Sequence, residues 1–130
     1  MDLLDTNVLS ELSRNRPDPG VVAWAGDRTE LAISVVTVEE VYFGLSSRPN
    51  PRVMGWFKSF LAEHCRVLPV TAEVARVAGE LRGAFKARGV ARTQADMLIA
   101  ATARVNQMKL VTRNERDFAG CGITVVNPFK

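Results

Sequence analysis

The sequence predicts an α/β fold of three layers, a small parallel β-sheet held between two layers of helices. Two observations carry this expectation. Short apolar runs rich in leucine or β-branched residues, "LLD", "LAISVV", "RVLPV", "KLVT" and "ITVV", recur along the chain. Between most of them lie longer stretches with apolar residues at helical spacing, the alternation that builds parallel sheets covered on both faces. A length of 130 residues suits one domain, expected over residues 1–130; folding at this size removes roughly two-thirds of the extended surface from water.

Taken in order, "LLD" is a short buried strand, followed by a helix from about Thr6 to Arg14. "RPDPGVVAWAGD" opens with Pro and Asp and continues as an apolar stretch, the pattern of a second short helix. "LAISVV" is continuous and β-branched, as in a strand buried on both faces. "TVEEVYFGL" is helical, with Thr37 as N-cap and Gly44 near the end. After the turn chemistry of "SSRPNP", Val53, Trp56, Phe57, Phe60 and Leu61 recur at helical spacing. "RVLPV" is the third strand, and a long helix runs from about Thr71 to Arg88 before breaking at Gly89. Another helix follows Thr93 through "ADMLIAATARV". "KLVT" is a strand, "RNERDF" a loop or helical turn, and "ITVV" the last strand.

Composition excludes several kinds of chemistry. The chain is 47% hydrophobic and 24% charged, ordinary for a soluble globular protein. Its most apolar stretch, "LAISVVTVEEVYFGL", meets Glu39 and Glu40 too early to span a bilayer, and "MDLL" lacks the features of a signal peptide. The expected location is the cytoplasm, away from membranes. Cys65 and Cys121 form no CxxC, and His64 is the only histidine, so zinc chemistry and histidine-based triads are disfavoured. His64, in "AEHCRVLPV", reads as the end of a helix. A net charge of +3 tilts the chain weakly toward polyanions. Arg82, Lys86, Arg88, Arg92, Arg113 and Arg116 supply much of the basic set, and arginine donates two hydrogen bonds at once to phosphate.

The acids fall at telling places. Asp5 ends the first strand, Glu40 lies in the first turn after the second, and Asp96 lies in the first turn of the helix beginning at Thr93. Asn114, Glu115 and Asp117 follow "KLVT". In a parallel sheet all of these approach the same edge, where ligands of such folds collect. Carboxylates gathered there stay ionised only with divalent cations or large pKa shifts. Oxygen ligands without histidine or cysteine suit Mg²⁺ or Mn²⁺, and one or two such ions activate water toward a phosphodiester. Each acid also has a local explanation. Thr37-x-x-Glu40 and Thr93-x-x-Asp96 both read as capping boxes, and first-turn acids complement the helix dipole. Asp5 is harder to explain locally, because a carboxylate directly after buried leucines is costly unless something binds it.

The chain resembles PIN-domain ribonucleases, in particular the VapC and FitB type toxins of prokaryotic type II toxin–antitoxin pairs. The matching pieces are "LLDTNVLSEL", "ISVVTVEEVYFGL" with its E-x-x-x-G, "ADMLIAATA", and "LVTRNERDF" running on to "VVNPF", in the family's order. The resemblance implies a PIN-like sheet flanked by helices and Mg²⁺- or Mn²⁺-dependent cleavage of RNA. It maps Asp5, Glu40 and Asp96 onto the family's first three acids and Thr6 onto the accompanying hydroxyl residue. The fourth position falls on Asp117, with Asn114, where some relatives carry Asp, as a ligand or water-positioning group. Arg113 and Arg116 are placed to hold the RNA backbone. The resemblance further implies a small DNA-binding antitoxin as partner and a homodimer. Leu9, Leu12, Trp24, Trp56 and Phe60 are available for such surfaces, although their spacing also fits a core.

Two other readings, one enzymatic and one of a binding domain, lack a required residue. A phosphatase of the haloacid dehalogenase type needs a second Asp two residues after the first, where Asn7 stands. A binding-class rival, a receiver-like phosphoacceptor domain, needs an acid at the end of a central strand, which "RVLPV" does not supply, and a Lys after "KLVT", which is absent. The remaining rival keeps the fold and drops the chemistry: a catalytically inert PIN scaffold that binds RNA or a protein.

Overall fold

The computed structural model describes residues 1–26, 28 and 30–130. The elements are β1 (Asp2–Leu4), α1 (Thr6–Leu12), α2 (Pro19–Gly26), β2 (Leu31–Ser34), α3 (Val35–Ser47) and α4 (Pro51–His64). Then come β3 (Cys65–Leu68), α5 (Ala72–Ala87), α6 (Gln94–Val105), β4 (Lys109–Val111), a 3-10 turn at Glu115–Phe118, and β5 (Val125–Val126). Asp27, the end of the stretch read as the second helix, lies outside the described residues. No helix among them is long and apolar enough to cross a membrane.

The strands form one sheet in the order β3-β2-β1-β4-β5, every pairing parallel. Leu3 pairs with Ala32 on one side and Leu110 on the other, which fixes β1 at the centre. Successive residues of a strand point to opposite faces, and the core follows that period. Leu3, Ala32 and Leu110 pack against α5 and α6 through Val77, Phe85, Met97 and Ile99. Leu4, Leu31, Ile33 and Val111 pack on the opposite face with Val8, Leu9, Val21 and Phe57. The inner strands β1, β2 and β4 are buried on both faces beyond their first residues and have no need of alternation, whereas the edge strand β3 leaves Arg66 and Val67 exposed.

The order also locates a crevice. The chain leaves β1 toward β2 on one side and later returns as β4 on the other, so the crossovers part at the C-terminal ends of β1 and β4. Ligands of open parallel sheets bind at such points.

Local differences from the sequence expectations have identifiable causes. "LAISVV" stops being strand at Ser34, because the Ser34 hydroxyl accepts from Val36 N–H at 3.0 Å and caps α3 three residues before Thr37. Thr37 is therefore not the N-cap. It lies inside α3, wholly buried. Glu40 consequently sits in the second turn, and the Thr37-x-x-Glu40 capping box does not form. The helix also runs past Gly44 to Ser47. β3 ends before Pro69, which has no N–H to give a ladder. The helix after β1 stops at Leu12 rather than Arg14, with Ser13 as C-cap. Thr71 and Asn50 cap α5 and α4, and Gly89 leaves α5 at φ +78°, a backbone angle that favours glycine. His64 ends α4.

Of the apolar residues considered for partner surfaces, Leu9 is core, 1% exposed. Leu12, Trp24, Trp56 and Phe60 are half-buried against the same cluster, Trp56 stacked on Phe60 with centroids 4.8 Å apart. Among the described residues the most exposed aromatic is Phe43 on α3, at 70%.

Candidate active site

At the crevice, Asp5 leaves β1 and is the N-cap of α1, its Oδ1 accepting from Thr6 N–H at 2.8 Å. Capping occupies one oxygen. The other, Oδ2, accepts from the Thr112 hydroxyl at 2.8 Å and from the Asn7 amide at 3.0 Å. Asp5 is only 5% exposed, and burial pushes its carboxyl above the usual range. The Thr112 and Thr6 hydrogen bonds oppose that rise, while the carboxylates of Asp96 and Glu40 add to it.

Asn7 and Thr112 hold this arrangement together. The Asn7 amide donates to Asp5 and, at 3.3 Å, to the Thr112 hydroxyl, while its Oδ1 accepts from Arg113 N–H at 3.1 Å. Those partners fix which end of the amide is oxygen. Thr112, fully buried after β4, also accepts from Asn114 N–H at 3.0 Å. One network therefore ties the loop after β1 to the loop after β4, across the topological switch.

Glu40 reaches the same place from α3. The Thr6 hydroxyl donates to Glu40 Oε1 at 2.7 Å and lies 3.1 Å from the Thr37 hydroxyl. Glu40 is thus aimed by Thr6, with Thr37 packed behind it. Asp96 comes from the first turn of α6, where the Thr93 hydroxyl accepts its N–H at 3.1 Å, the capping half expected from the sequence. Burial raises its carboxyl too. The Thr93 side chain and Arg92 counter this, and Asp117 and Glu40 reinforce it.

The charges of Glu40 and Asp96 thus reach Asp5, and those of Glu40 and Asp117 reach Asp96, at the C-terminal end of the sheet. Among the described residues, no group of three or more His, Cys, Asp or Glu side chains is placed so that it could hold a metal ion by itself. The donor chemistry nevertheless fits a hard divalent cation. It is all oxygen, and it holds a buried carboxylate whose ionised form lacks a cationic partner. Mg²⁺ dehydrates reluctantly and is commonly bound by one or two carboxylates, with water and substrate phosphate completing the shell.

Around the fourth position, Asn114 precedes the 3-10 turn without making a side-chain cap, and Asp117 is exposed on that turn. Glu115 is engaged elsewhere, accepting from the Asn127 amide at 3.2 Å. The Arg113 guanidinium lies 4.8 Å from the centroid of the Phe129 ring, drawn toward the C-terminal segment, and Arg116 is exposed on the 3-10 turn.

Arg92 proves more closely engaged than either. Its guanidinium donates to the carbonyls of Asp117 and Ala119, the latter at 3.0 Å, and stacks 4.1 Å over Phe85. Arg92 therefore staples the 3-10 turn that carries Asp117 to the entrance of α6 that carries Asp96. Sequence reasoning gave no site role to Asn7, Thr37, Arg92 or Thr112. The available signals were the Asn two residues after Asp5 and the hydroxyl closing "KLVT".

Residues 3–121 match the PIN domain family. The "VapC ribonuclease Y4jK" of Sinorhizobium fredii is 33% identical over 138 aligned positions, covering 100% of this chain and 99% of the relative. The crystal structure of FitAcB from Neisseria gonorrhoeae contains a chain 32% identical to this one. It superposes with a TM-score of 0.83 over 98% of each chain. The structure of FitAB bound to the IR36 DNA fragment gives a TM-score of 0.84 at 31% identity, over 100% of this chain and 96% of that one.

Proposed function

This chain belongs to the PIN-domain family, and from that premise we propose that it is a metal-dependent ribonuclease, the toxin of a type II toxin–antitoxin pair neutralised by a small DNA-binding antitoxin. The observation that carries the proposal is the buried Asp5 carboxylate at the topological switch point, with the charges of Asp96 and Glu40 directed at it from two other segments. Capping alone gives no reason for Glu40 and Asp96 to approach Asp5. The ribonuclease name of the Sinorhizobium relative and the FitAB–DNA complex support the same reading.

Asp5, Glu40, Asp96 and Asp117 would hold Mg²⁺ or Mn²⁺, one or two ions, with the Asn114 amide oxygen as a neutral ligand. When bound, the metal lowers the pKa of a coordinated water and neutralises charge on the phosphodiester. The chain's own residues set up that step. Thr112, Asn7 and the Thr6 N–H hold the Asp5 carboxylate in one orientation, and the Thr6 hydroxyl orients Glu40. Thr6 serves here as a positioning residue: its hydroxyl donates a hydrogen bond to Glu40 Oε1 and holds that carboxylate in place. Arg116 and the backbone around Arg113 lie on the loop that RNA must pass. Phosphate contacts there position the strand without reading its sequence.

A homodimer acting in the cytoplasm completes the proposal. Apolar surface for a protein partner is present on half-buried Val41, Val53 and Trp56 and on exposed Phe43. The test is to incubate antitoxin-free protein with total RNA in Mg²⁺ or Mn²⁺, with and without chelator. Discrete fragments that vanish with chelator are expected. RNA that is bound but never cut would make the chain an inert scaffold.

A further inference from the structure

Beside the acidic cleft, at the end of α5 and along the loop to α6, lies an open concavity of about 370 Å³. Arg82, Lys86, Gly89, Val90, Ala91 and Arg92 line it. Its charged side chains are all cationic. Among the described residues, none of Arg82, Lys86 and Arg92 has a carboxylate within salt-bridge distance. Arg82 and Lys86 stand one turn apart on α5, where like charges repel and mildly destabilise the helix. By contrast, Arg76 on the same helix is neutralised by Glu80 at 2.8 Å.

We propose that this concavity holds phosphates of the RNA strand on one side of the scissile bond, with Arg82 and Lys86 as backbone-positioning residues. The inference rests on the ribonuclease assignment for its ligand and extends it to residues outside the acidic cluster. The connecting observation is Arg92. It lines the concavity while donating to the carbonyl of Asp117, and it lies four residues before Asp96 at the entrance of α6, so the basic recess and the acidic cleft share a wall. A strand whose reacting phosphate lies among the acids can continue across Arg92 into the recess.

The lining also says what kind of contact forms. Gly89 and Ala91 leave room for phosphate and ribose. The nearby aromatic ring, Phe85, is already covered by the guanidiniums of Arg92 at 4.1 Å and Arg88 at 4.8 Å, so it offers no free face to a base. Contact there is with the backbone and blind to sequence. The recess also continues toward α6, because Arg82 borders a second, smaller groove with Gly79, Gln94 and Met97.

The experiment measures binding of a labelled single-stranded RNA by the full chain carrying Asp5→Asn, with chelator present, over a range of KCl. Removing one cation that neutralises a phosphate of a single strand should flatten the plot of log affinity against log salt by about 0.7. Arg82→Ala/Lys86→Ala in that background should therefore reduce the slope by about 1.4 and weaken two unrelated sequences equally. Arg82→Lys/Lys86→Arg should keep the parent slope, which separates charge from folding. An unchanged slope, weakening confined to one sequence, or a parent that binds no RNA at any salt would each overturn the proposal. If the double alanine variant lost affinity for a poly-glutamate peptide but not for RNA, the recess would be a protein site and the proposal wrong. Should the chain with Asp5 intact bind RNA with the expected slope yet never cut it, the ribonuclease assignment fails and the phosphate site stands.

Discussion

Glu40→Gln should lower RNA cleavage by about two to three orders of magnitude while leaving the metal-free fold almost unchanged. Gln Oε1 can still accept from the Thr6 hydroxyl, which donates to Glu40 Oε1 at 2.7 Å in the native chain. Thr37 behind it is undisturbed, and α3 keeps its cap, because that cap is Ser34. What disappears is one negative charge facing Asp5 and Asp96. Metal ions contribute several kcal/mol of transition-state stabilisation, and each ~1.4 kcal/mol is tenfold in rate, so weakened metal binding reaches that size. Single-turnover cleavage of a defined RNA at fixed Mn²⁺, beside thermal melting in chelator, checks both halves. Wild-type cleavage by Glu40→Gln would make Glu40 a structural residue.

Thr112→Val should be nearly isosteric and still damaging. The Thr112 hydroxyl donates to Asp5 Oδ2 at 2.8 Å inside a fully buried site, and it accepts from Asn114 N–H. Hydrogen bonds to charged groups contribute about 1.5–3 kcal/mol, which corresponds to roughly ten- to a hundredfold in cleavage near neutrality. The pH dependence gives the loss a signature. Burial raises the Asp5 carboxyl pKa, and the Thr112 hydroxyl is the largest influence holding it down. Removing that donor favours the protonated form further. Cleavage needs ionised Asp5, so the acidic limb of the pH–rate profile should move to higher pH and the defect should shrink as pH rises. Thr112→Ser keeps the hydroxyl and should restore the profile. A uniform loss at every pH would assign Thr112 a packing role only.

How far the sequence carried these conclusions depends on the scale of the feature. The sheet was legible because "LLD", "LAISVV" and "KLVT" are apolar without alternation, a pattern that a half-exposed strand does not produce. The positions of Asp5 and Asp96 followed from strand ends and the Thr93 cap. The start of α3 was misplaced because Val35 and Val36 are β-branched and continue the strand pattern, whereas one hydroxyl on Ser34 ends the strand. The cap at Ser34 rather than Thr37, three residues earlier, takes Glu40 out of the capping position. The Asn7–Thr112 link was invisible for another reason. It joins residues 105 positions apart through side-chain hydrogen bonds, and neither composition nor periodicity encodes such pairs. Arg92 was hidden likewise among the basic residues, since its engagement with the 3-10 turn exists only after α6 and that turn have docked.

Calorimetric titration of Mn²⁺ into the antitoxin-free chain, with and without Asp5→Asn, tests the central claim most directly. If the clustered acids form a cation site, the native chain binds Mn²⁺ with saturation. Loss of the buried carboxylate should then weaken binding more than about tenfold, the factor that corresponds to ~1.4 kcal/mol. Equal affinity in the two proteins, or no saturable binding by the native chain, would contradict it.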